Sequence, residues 1–140
     1  MLSNRSIPNV TVIPVLAYPD ANAAAAWLRD AFGFSVRLRV DNHRVQMNVG
    51  DGAVILREKR PGEMGQRLDL GHSITVRIEN ADTHCQHARE HGARITQEPT
   101  THPYGERQYT AEDLAGYSWT FSQSVADLHP AEWGASTEEL

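Results

Sequence analysis

YGERQYTAEDLAGYSWTFSQ, residues 104–123, contains two short strands joined by a tight turn. Apolar and polar residues alternate along 117–123, which is typical of a strand with one buried face. One face carries Tyr117, Trp119 and Phe121, and the other carries Ser118, Thr120 and Ser122. An antiparallel hairpin with one apolar face needs another layer to cover it. The hairpin therefore predicts a sheet that is covered by a helix on one side.

The residues before this hairpin supply the covering helix. A strand at 72–79 leads to a helix at 80–93, with Asn80 or Asp82 as the N-cap and Gly92 as the stop. The rest of this half is predicted as a strand at 94–98, a loop at 99–105, and strands at 106–112 and 117–123. The order is therefore β-α-β-β-β.

The first half of the chain repeats this order. A strand from Val10 to Tyr18 precedes a helix that begins after Asp20 and ends at Gly33. Three strands follow, at 35–40, 43–49 and 53–58. Regular alternation in the first of them puts Val36, Leu38 and Val40 on one side. The repeated order predicts an internal duplication and an α+β fold.

Each predicted sheet has a second face that is polar. In the strand 43–49 this face carries Gln46 and Asn48, and in the strand 72–79 it carries Ser73 and Thr75. Antiparallel sheets often leave one face in water, so these residues can simply be solvated. Two curved half-sheets placed together would instead make the polar faces the lining of a cleft.

Composition limits the class of partner. The 140 residues include 13 Lys and Arg against 18 Asp and Glu, a net charge of −5, which does not favour nucleic acid or anionic membranes. The single cysteine, Cys85, excludes an internal disulfide and is expected to pack beside Ala88 in the second helix. With no signal pattern at 1–12, we expect a cytoplasmic protein.

Four stretches carry a family resemblance: AYPDANAAAAWLRDAFGF (17–34), GDGAVILRE (50–58), GHSITVRIENADTHCQHAREHGA (71–93) and the opening hairpin. In order and spacing they resemble the glyoxalase/bleomycin-resistance/dioxygenase superfamily, also called vicinal oxygen chelate, over about residues 9–124. The hairpin is most similar to a bacterial branch ending in YG-x-R…D-x-x-G-x-x-W-x-F.

The resemblance implies one domain, 1–140, built from two modules. Module 1 would span about 9–58, a loop 59–71, module 2 about 72–124, and a tail 125–140. The modules would form a cup-shaped mixed β-sheet with the helices on the outer face, commonly as a homodimer. In the tail, Trp133 is expected to pack on the domain or on a partner subunit.

Metal-using relatives hold a divalent ion with two ligands from each module. The resemblance implies slots at Ile13, Leu56 and Thr120, none of which is a strong ligand. The fourth slot falls on Ser73 by strand register, or on His72 if a bulge intervenes. We therefore expect no cofactor, with a divalent metal at His72 as the alternative.

Other residues are candidates for chemistry. Glu58 is either a candidate general base or a strand-end charge partnered by Arg57, Lys59 or water. Arg107 with Tyr109 would either supply a cation and a phenol to a ligand oxygen or be an edge-strand charge and a packed aromatic. The predicted ligand-binding cup is lined by Ile13, Val15, Gln46, Asn48, Leu56, Ser73, Thr75, Ser118, Thr120 and Ser122. His84, His87 and His91 share a helix face, either a surface metal clip or a solvated face.

Two main functions remain open. The first is a metal-independent protein that binds a small organic molecule. The alternative is a lyase or isomerase of the glyoxalase type acting on a small carbonyl compound, with or without a divalent metal. A dimer scaffold with no ligand is a third reading. Whether the chain is an enzyme is left open.

Overall fold

A computed structural model describes residues 2–63 and 71–138 of the chain. The chain divides into two compact units, Met1–Leu68 and Asp69–Leu140. The described residues of each unit form a β-α-β-β-β module with one four-stranded mixed sheet. The predicted α+β fold with two modules is confirmed. The cup stays a prediction, and residues 64–70 of the predicted loop 59–71 lie outside the described residues.

The first unit contains one α-helix and four strands among its described residues. They are β1 (Val15–Tyr18), α1 (Ala21–Phe32), β2 (Ser35–Val40), β3 (Arg44–Val49) and β4 (Gly52–Glu58). The sheet order is β1-β4-β3-β2, with β1 parallel to β4 and the other neighbours antiparallel. β1 is shorter than the strand predicted from Val10 because Pro14, which lacks an N–H, directly precedes it.

Helix α1 begins and ends where its sequence predicts. The Asp20 side chain accepts a hydrogen bond from the backbone N–H of Ala23 at 3.0 Å. At the other end Gly33 adopts a left-handed conformation, with φ of 84°. Ala24, Ala25 and Leu28 are fully buried between these ends, so this face holds α1 against the sheet.

Strand β2 departs from the predicted alternation. Val36 pairs with Met47, but Leu38 pairs with Gln46, so the register shifts by one residue at a bulge. A one-residue shift turns the following side chains to the opposite face. Arg39 therefore faces α1, where it donates a hydrogen bond to Asn22. The predicted grouping of Val36, Leu38 and Val40 on one side is wrong.

The second unit has the same plan. Its elements are β5 (Ile74–Arg77), α2 (Ala81–Glu90), β6 (Arg94–Thr101), β7 (Glu106–Glu112) and β8 (Ser118–Ser124). The sheet order is β5-β8-β7-β6, with β5 parallel to β8 and the other neighbours antiparallel. A short 3₁₀ helix, Pro130–Trp133, follows β8. The hairpin within residues 104–123 thus consists of β7, its turn and β8.

Strand β6 continues three residues into the predicted loop 99–105. It includes Pro99, which has no N–H for a sheet hydrogen bond. The register between Gln97 and Thr100 shifts around that proline, and β6 lies at the edge of the sheet. A bulge on an edge strand is where a sheet tolerates proline, so the strand continues past it.

A buried carboxylate organises the turn between β7 and β8. Asp113, 6% exposed, accepts hydrogen bonds from the backbone N–H groups of Ala115 and Tyr117. Its other oxygen accepts from Trp119 Nε1 at 3.0 Å. The turn is thereby tied to a fully buried tryptophan, which fixes the position of β8 relative to β7.

Helix α2 is capped at Asn80, one of its two predicted caps. The Asn80 side chain accepts from the backbone N–H of Thr83 at 3.0 Å, and Gly92, with φ of 92°, follows the last turn. Cys85 and Ala88 are buried together as predicted. Neither helix in the described ranges is long and apolar enough to cross a membrane.

Candidate functional site

The second sheet separates its side chains into two faces. On the side of α2, Phe121 lies opposite Tyr109, and Gln123 accepts a hydrogen bond from the first N–H of α2 at Ala81. The other side is polar. We call this side the polar face; it carries Thr75, Arg77, Glu106, Gln108, Thr110, Ser118, Thr120, Ser122 and Ser124.

A chain of hydrogen bonds runs across the polar face. Tyr104 donates its hydroxyl to Gln108 Oε1 at 3.0 Å, and Gln108 Nε2 donates to Ser122 Oγ at 3.0 Å. Ser122 in turn donates to Glu106 Oε1 at 2.6 Å. Every donor in this chain points towards Glu106, so its carboxylate is the final acceptor.

Glu106 is held in its charged form. Hydrogen bonds from the hydroxyls of Ser122 and then Ser124 lower the pKa of Glu106, and the nearby charge of Arg77 acts in the same direction. Arg77 also donates to Ser124 Oγ at 3.3 Å. A fixed carboxylate and a guanidinium therefore share one end of the polar face.

A cavity of about 590 Å³ opens at this end of the sheet. The chain after β8 forms one wall and contributes a second carboxylate, that of Asp127. The cavity is lined by Arg77, Tyr104, Glu106, Ser124, Val125, Ala126, Asp127 and Leu128. Its volume lies within the range of small-molecule sites, and its charges suit a polar ligand.

Gly105 allows the cavity wall formed by the chain after β8 to lie close to the start of β7. Its carbonyl oxygen accepts from the backbone N–H groups of Val125 at 2.8 Å and Ala126 at 3.2 Å. Its φ is +85°, and a Cβ at this position would lie 2.5 Å from the Ala126 carbonyl oxygen. Only glycine combines that conformation with so close an approach of two backbones.

Two aromatic rings pack against Tyr104. The His102 ring stacks on Tyr104 with centroids 5.0 Å apart, and Trp133 contacts the same tyrosine at 5.6 Å. The predicted packing of Trp133 on the domain is confirmed, although 42% of the residue stays exposed. These contacts hold the phenol that begins the hydrogen-bond chain.

Several predicted site residues of the second module lie on the polar face. Thr75 pairs with Thr120, which exchanges a hydrogen bond with Thr110 at 2.9 Å, while Ser118 and Ser122 occupy the same face. Ser73 and His72 differ, because both precede β5 and are exposed. The His72 ring lies 6.3 Å from that of Tyr117.

Arg107 and Tyr109 share a face, as predicted, but it is the face towards α2. Arg107 forms an ion pair with Asp82, with nitrogen–oxygen distances of 2.9 and 3.0 Å. Tyr109 is fully buried and hydrogen-bonds through its hydroxyl to His84, and burial raises the pKa of its phenol. Their predicted place in a cup is corrected, because both are engaged with the helix.

Leu56 and Glu58 are corrected in the same way. The turn after β3 pairs Val45 with Leu56, which puts Leu56 on the buried side of the first sheet with α1. Glu58, two residues on, accepts a hydrogen bond from the backbone N–H of Ala21 at 3.2 Å. Its carboxylate therefore stabilises the start of α1, on the side of the sheet opposite Gln46.

The other predicted residues of the first module face away from α1. Val15 pairs with Ile55, which pairs with Gln46, so these three side chains share a face. Asn48 lies two residues further along on the same side, and Ile13, partly exposed, precedes β1. Val15 is 48% exposed, whereas Gln46 is only 8% exposed.

The residues do not fit the divalent ion of metal-using relatives. Ile13, Leu56 and Thr120 offer no strong donor, and no group of three or more His, Cys, Asp and Glu is placed to hold a metal within residues 2–63 and 71–138. The three histidines that were predicted to share a face of α2 also make different contacts. His84 turns in against Phe121, while His87 and His91 stack on each other at 4.2 Å.

Sequence reasoning missed the charged end of the polar face. Arg77 is the last residue of β5 and Glu106 the first residue of β7. Both lie in phase with Thr75 and Ser122 on the polar face, so the alternation contained this signal. Tyr104 and Gln108 were missed because their bond to each other depends on the path of the chain before β7.

Comparison with known proteins agrees with this architecture. The family model of the Glyoxalase/Bleomycin resistance protein/Dioxygenase superfamily matches residues 9–121. Among solved structures, the chain is similar to TioX from Micromonospora sp. ML1, with 29% identity and a TM-score of 0.67, over 83% of this chain and 99% of that one.

Two more distant structures share the fold. A lactoylglutathione lyase from Agrobacterium tumefaciens is 17% identical, with a TM-score of 0.61, over 83% of this chain and 94% of that one. A glyoxalase/bleomycin resistance protein/dioxygenase family enzyme from Burkholderia phytofirmans PsJN is 13% identical, with a TM-score of 0.68, over 80% of this chain and 96% of that one. No curated protein matches the chain.

Proposed function

The chain belongs to the Glyoxalase/Bleomycin resistance protein/Dioxygenase superfamily, and we propose that it binds a small organic molecule, without a metal ion, at the polar face of its second sheet. The observation that carries this proposal is the hydrogen-bond chain from Tyr104 to Glu106 beside a cavity of about 590 Å³. A network whose partners are already satisfied is rigid, and a rigid network lowers the entropy lost on binding.

The charges of the cavity specify complementary groups on the ligand. Glu106 and Asp127 accept hydrogen bonds, so they suit an amine, amide or hydroxyl donor. Arg77 suits an oxygen acceptor on the same small molecule. We also propose a cytoplasmic homodimer, as the family resemblance and composition suggest.

The structure supports binding more than turnover. Glu58, Arg107 and Tyr109, the candidate catalytic groups of a lyase or isomerase, are engaged with α1 or α2. Glu106 is a weak base, because its pKa is lowered by the hydroxyls that it accepts from. Among residues 2–63 and 71–138, no group of three or more His, Cys, Asp and Glu is placed to hold the ion of metal-using relatives.

Ligand binding is tested by a thermal-shift screen with small hydroxylated amines and hydroxy acids. We expect a subset to raise the melting temperature of the wild type, and Glu106→Gln to abolish that rise because it removes the charged acceptor. Glu79→Gln, an exposed carboxylate next to Asn80, is the matched control and should keep the rise. Compounds that still raise the melting temperature of Glu106→Gln would contradict binding at this location.

Metal independence has its own test. Elemental analysis of the purified protein should find no stoichiometric Zn, Ni, Mn or Fe, and the hits should bind equally well with and without EDTA. A bound ion that survives replacement of both His87 and His91 with Ala would contradict the proposal.

A further inference from the structure

The polar side of the first sheet is covered by a short stretch of the chain that precedes β1. Arg37 Nη2 donates to the Arg5 carbonyl oxygen at 2.7 Å, and Gln46 Nε2 donates to the Ser6 carbonyl oxygen at 2.9 Å. Residues 4–8, which we call the strap, thereby cover a side chain that sequence analysis predicted to meet a ligand. Burial of Gln46 to 8% exposure follows from this cover.

Arg37 and Gln46 form a preorganised pair of donors. Arg37 Nη1 donates to Gln46 Oε1 at 2.6 Å, which fixes the guanidinium beside the amide. Arg37 Nη2 and Gln46 Nε2 donate to the carbonyl oxygens of two successive residues of the strap. Two neighbouring oxygens that accept from a cation and an amide are also what a carboxylate presents.

The strap itself is lightly held. It forms a turn in which Asn4 accepts from the backbone N–H groups of Ser6 at 3.0 Å and Ile7 at 3.3 Å, outside any sheet. Pro8 is buried, but residues 4–7 are exposed. A cavity of about 220 Å³ lies against the strap and Arg37. Segments with few buried contacts open at low free energy.

Aliphatic side chains lie beside the donor pair. Leu38, Ile55 and Val15 lie on the same face of the sheet, through the pairings that the bulge in β2 and the β1–β4 register create. A ligand seated there would meet hydrogen-bond donors at one end and aliphatic side chains beside them.

We propose that Arg37 and Gln46 form a binding site for the carboxylate of an apolar carboxylic acid, and that the strap occupies this site as an internal competitor. The carbonyl oxygens of Arg5 and Ser6 accept the hydrogen bonds that the carboxylate of such an acid would accept. Binding of such an acid displaces the strap, and removal of the strap exposes the site. The inference does not rest on the cavity beside Glu106.

Dansylglycine tests this site, because it joins a carboxylate to an apolar fluorophore that brightens when bound. Deletion of residues 2–7 should tighten its binding about tenfold, the worth of one charge-assisted hydrogen bond. The same deletion should increase the affinity for dansylamide, which lacks the carboxylate, much less. When Arg37→Gln is added to the deletion, the increase in dansylglycine affinity should disappear. Arg44 is an exposed arginine on the same face, and adding Arg44→Gln should leave the increase unchanged.

The full-length chain gives a second readout that does not depend on the deletion folding. Trypsin cleavage after Arg5 should accelerate several-fold with dansylglycine and in Arg37→Gln, and should not respond to dansylamide. Equal dansylglycine affinity with and without the strap, or cleavage unaffected by dansylglycine, would overturn the proposal. Glu106→Gln should leave both readouts unchanged, which separates this site from the one in the second unit.

Discussion

Ser122 Oγ donates a hydrogen bond of 2.6 Å to Glu106 Oε1, diagonally across β8 and β7. This bond joins the interior of the polar face to the charged end that borders the cavity. Because Ser122 is 5% exposed, water cannot readily replace it as a donor. The pair therefore sets both the orientation and the protonation of the carboxylate on which the proposed function depends.

Replacing Ser122 with Ala should raise the pKa of Glu106. The folded pKa lies below its ordinary value of 4.5, first because of the Ser122 hydroxyl and then because of that of Ser124. A depressed folded pKa stabilises the protein above about pH 4.5, and that stabilisation is lost as the pH falls through the folded value. Carboxyl-carbon NMR titration measures the change. Ser118→Ala, on the same face, should leave the Glu106 titration where it is.

The pair formed by Arg57 and Glu63 should respond to acid. Hydrogen bonds from Arg57, at 2.6 and 2.7 Å, and from the backbone N–H of Arg60 lower the pKa of Glu63 to about 2. Its stabilising contribution is present above about pH 4.5 and disappears as the pH falls towards 2. Glu63→Gln should flatten this part of the stability–pH curve, measured by urea unfolding at several pH values. Since the pair is at the surface, the difference at pH 7 should be small. An unchanged acid limb would contradict the assignment.

Gly105→Ala should destabilise the protein more than Gly116→Ala. Both glycines have positive φ, so each alanine variant bears the cost of a left-handed conformation, about 1–2 kcal/mol. At Gly105 the new Cβ also meets the Ala126 carbonyl oxygen at 2.5 Å, whereas at Gly116 it meets nothing within 4 Å. The larger loss in the free energy of unfolding, measured in urea, reports the backbone contact. Equal losses would show that this contact is unimportant.

Asp113→Ala should be among the more damaging changes in the second unit. It removes the acceptor for two backbone N–H groups and leaves the fully buried indole N–H of Trp119 without that partner. The expected loss is about 2–4 kcal/mol. Asp113→Asn keeps one carbonyl oxygen and should lose less. Chemical denaturation measures the free energy of unfolding of both variants. A smaller loss in Asp113→Ala than in Asp113→Asn would contradict this role.

The sequence predicted what local chemistry determines. Asp20 and Asn80 cap their helices, and Thr120 and Ser122 lie on the polar face, because helix caps and strand alternation depend on near neighbours. The bulge beside Leu38 could not be predicted, since the alternation of β2 is compatible with either register. Cross-strand pairing, not the strand's own pattern, decides that register.

The errors at Leu56 and Tyr109 have a related cause. The family resemblance places Leu56 in the cup, and the alternation along a single strand allows Tyr109 there, although a tight turn couples each of these strands to its neighbour. Val49 pairs with Gly52, so the turn between them puts Leu56 opposite the apolar Val45. In the second sheet, the hairpin puts Tyr109 opposite Phe121. In each hairpin, the apolar residues that pair across the turn indicate which face of the sheet Leu56 and Tyr109 occupy.

Binding of a small molecule at the polar face is tested most directly by NMR titration of ¹⁵N-labelled protein with the best thermal-shift hit. We expect chemical-shift changes at the Gln108 side-chain amide, the backbone N–H of Ser124 and the Arg77 side chain, all lost in Glu106→Gln. Shifts confined to residues outside the second sheet and the wall 125–128, or shifts that persist in Glu106→Gln, would contradict it.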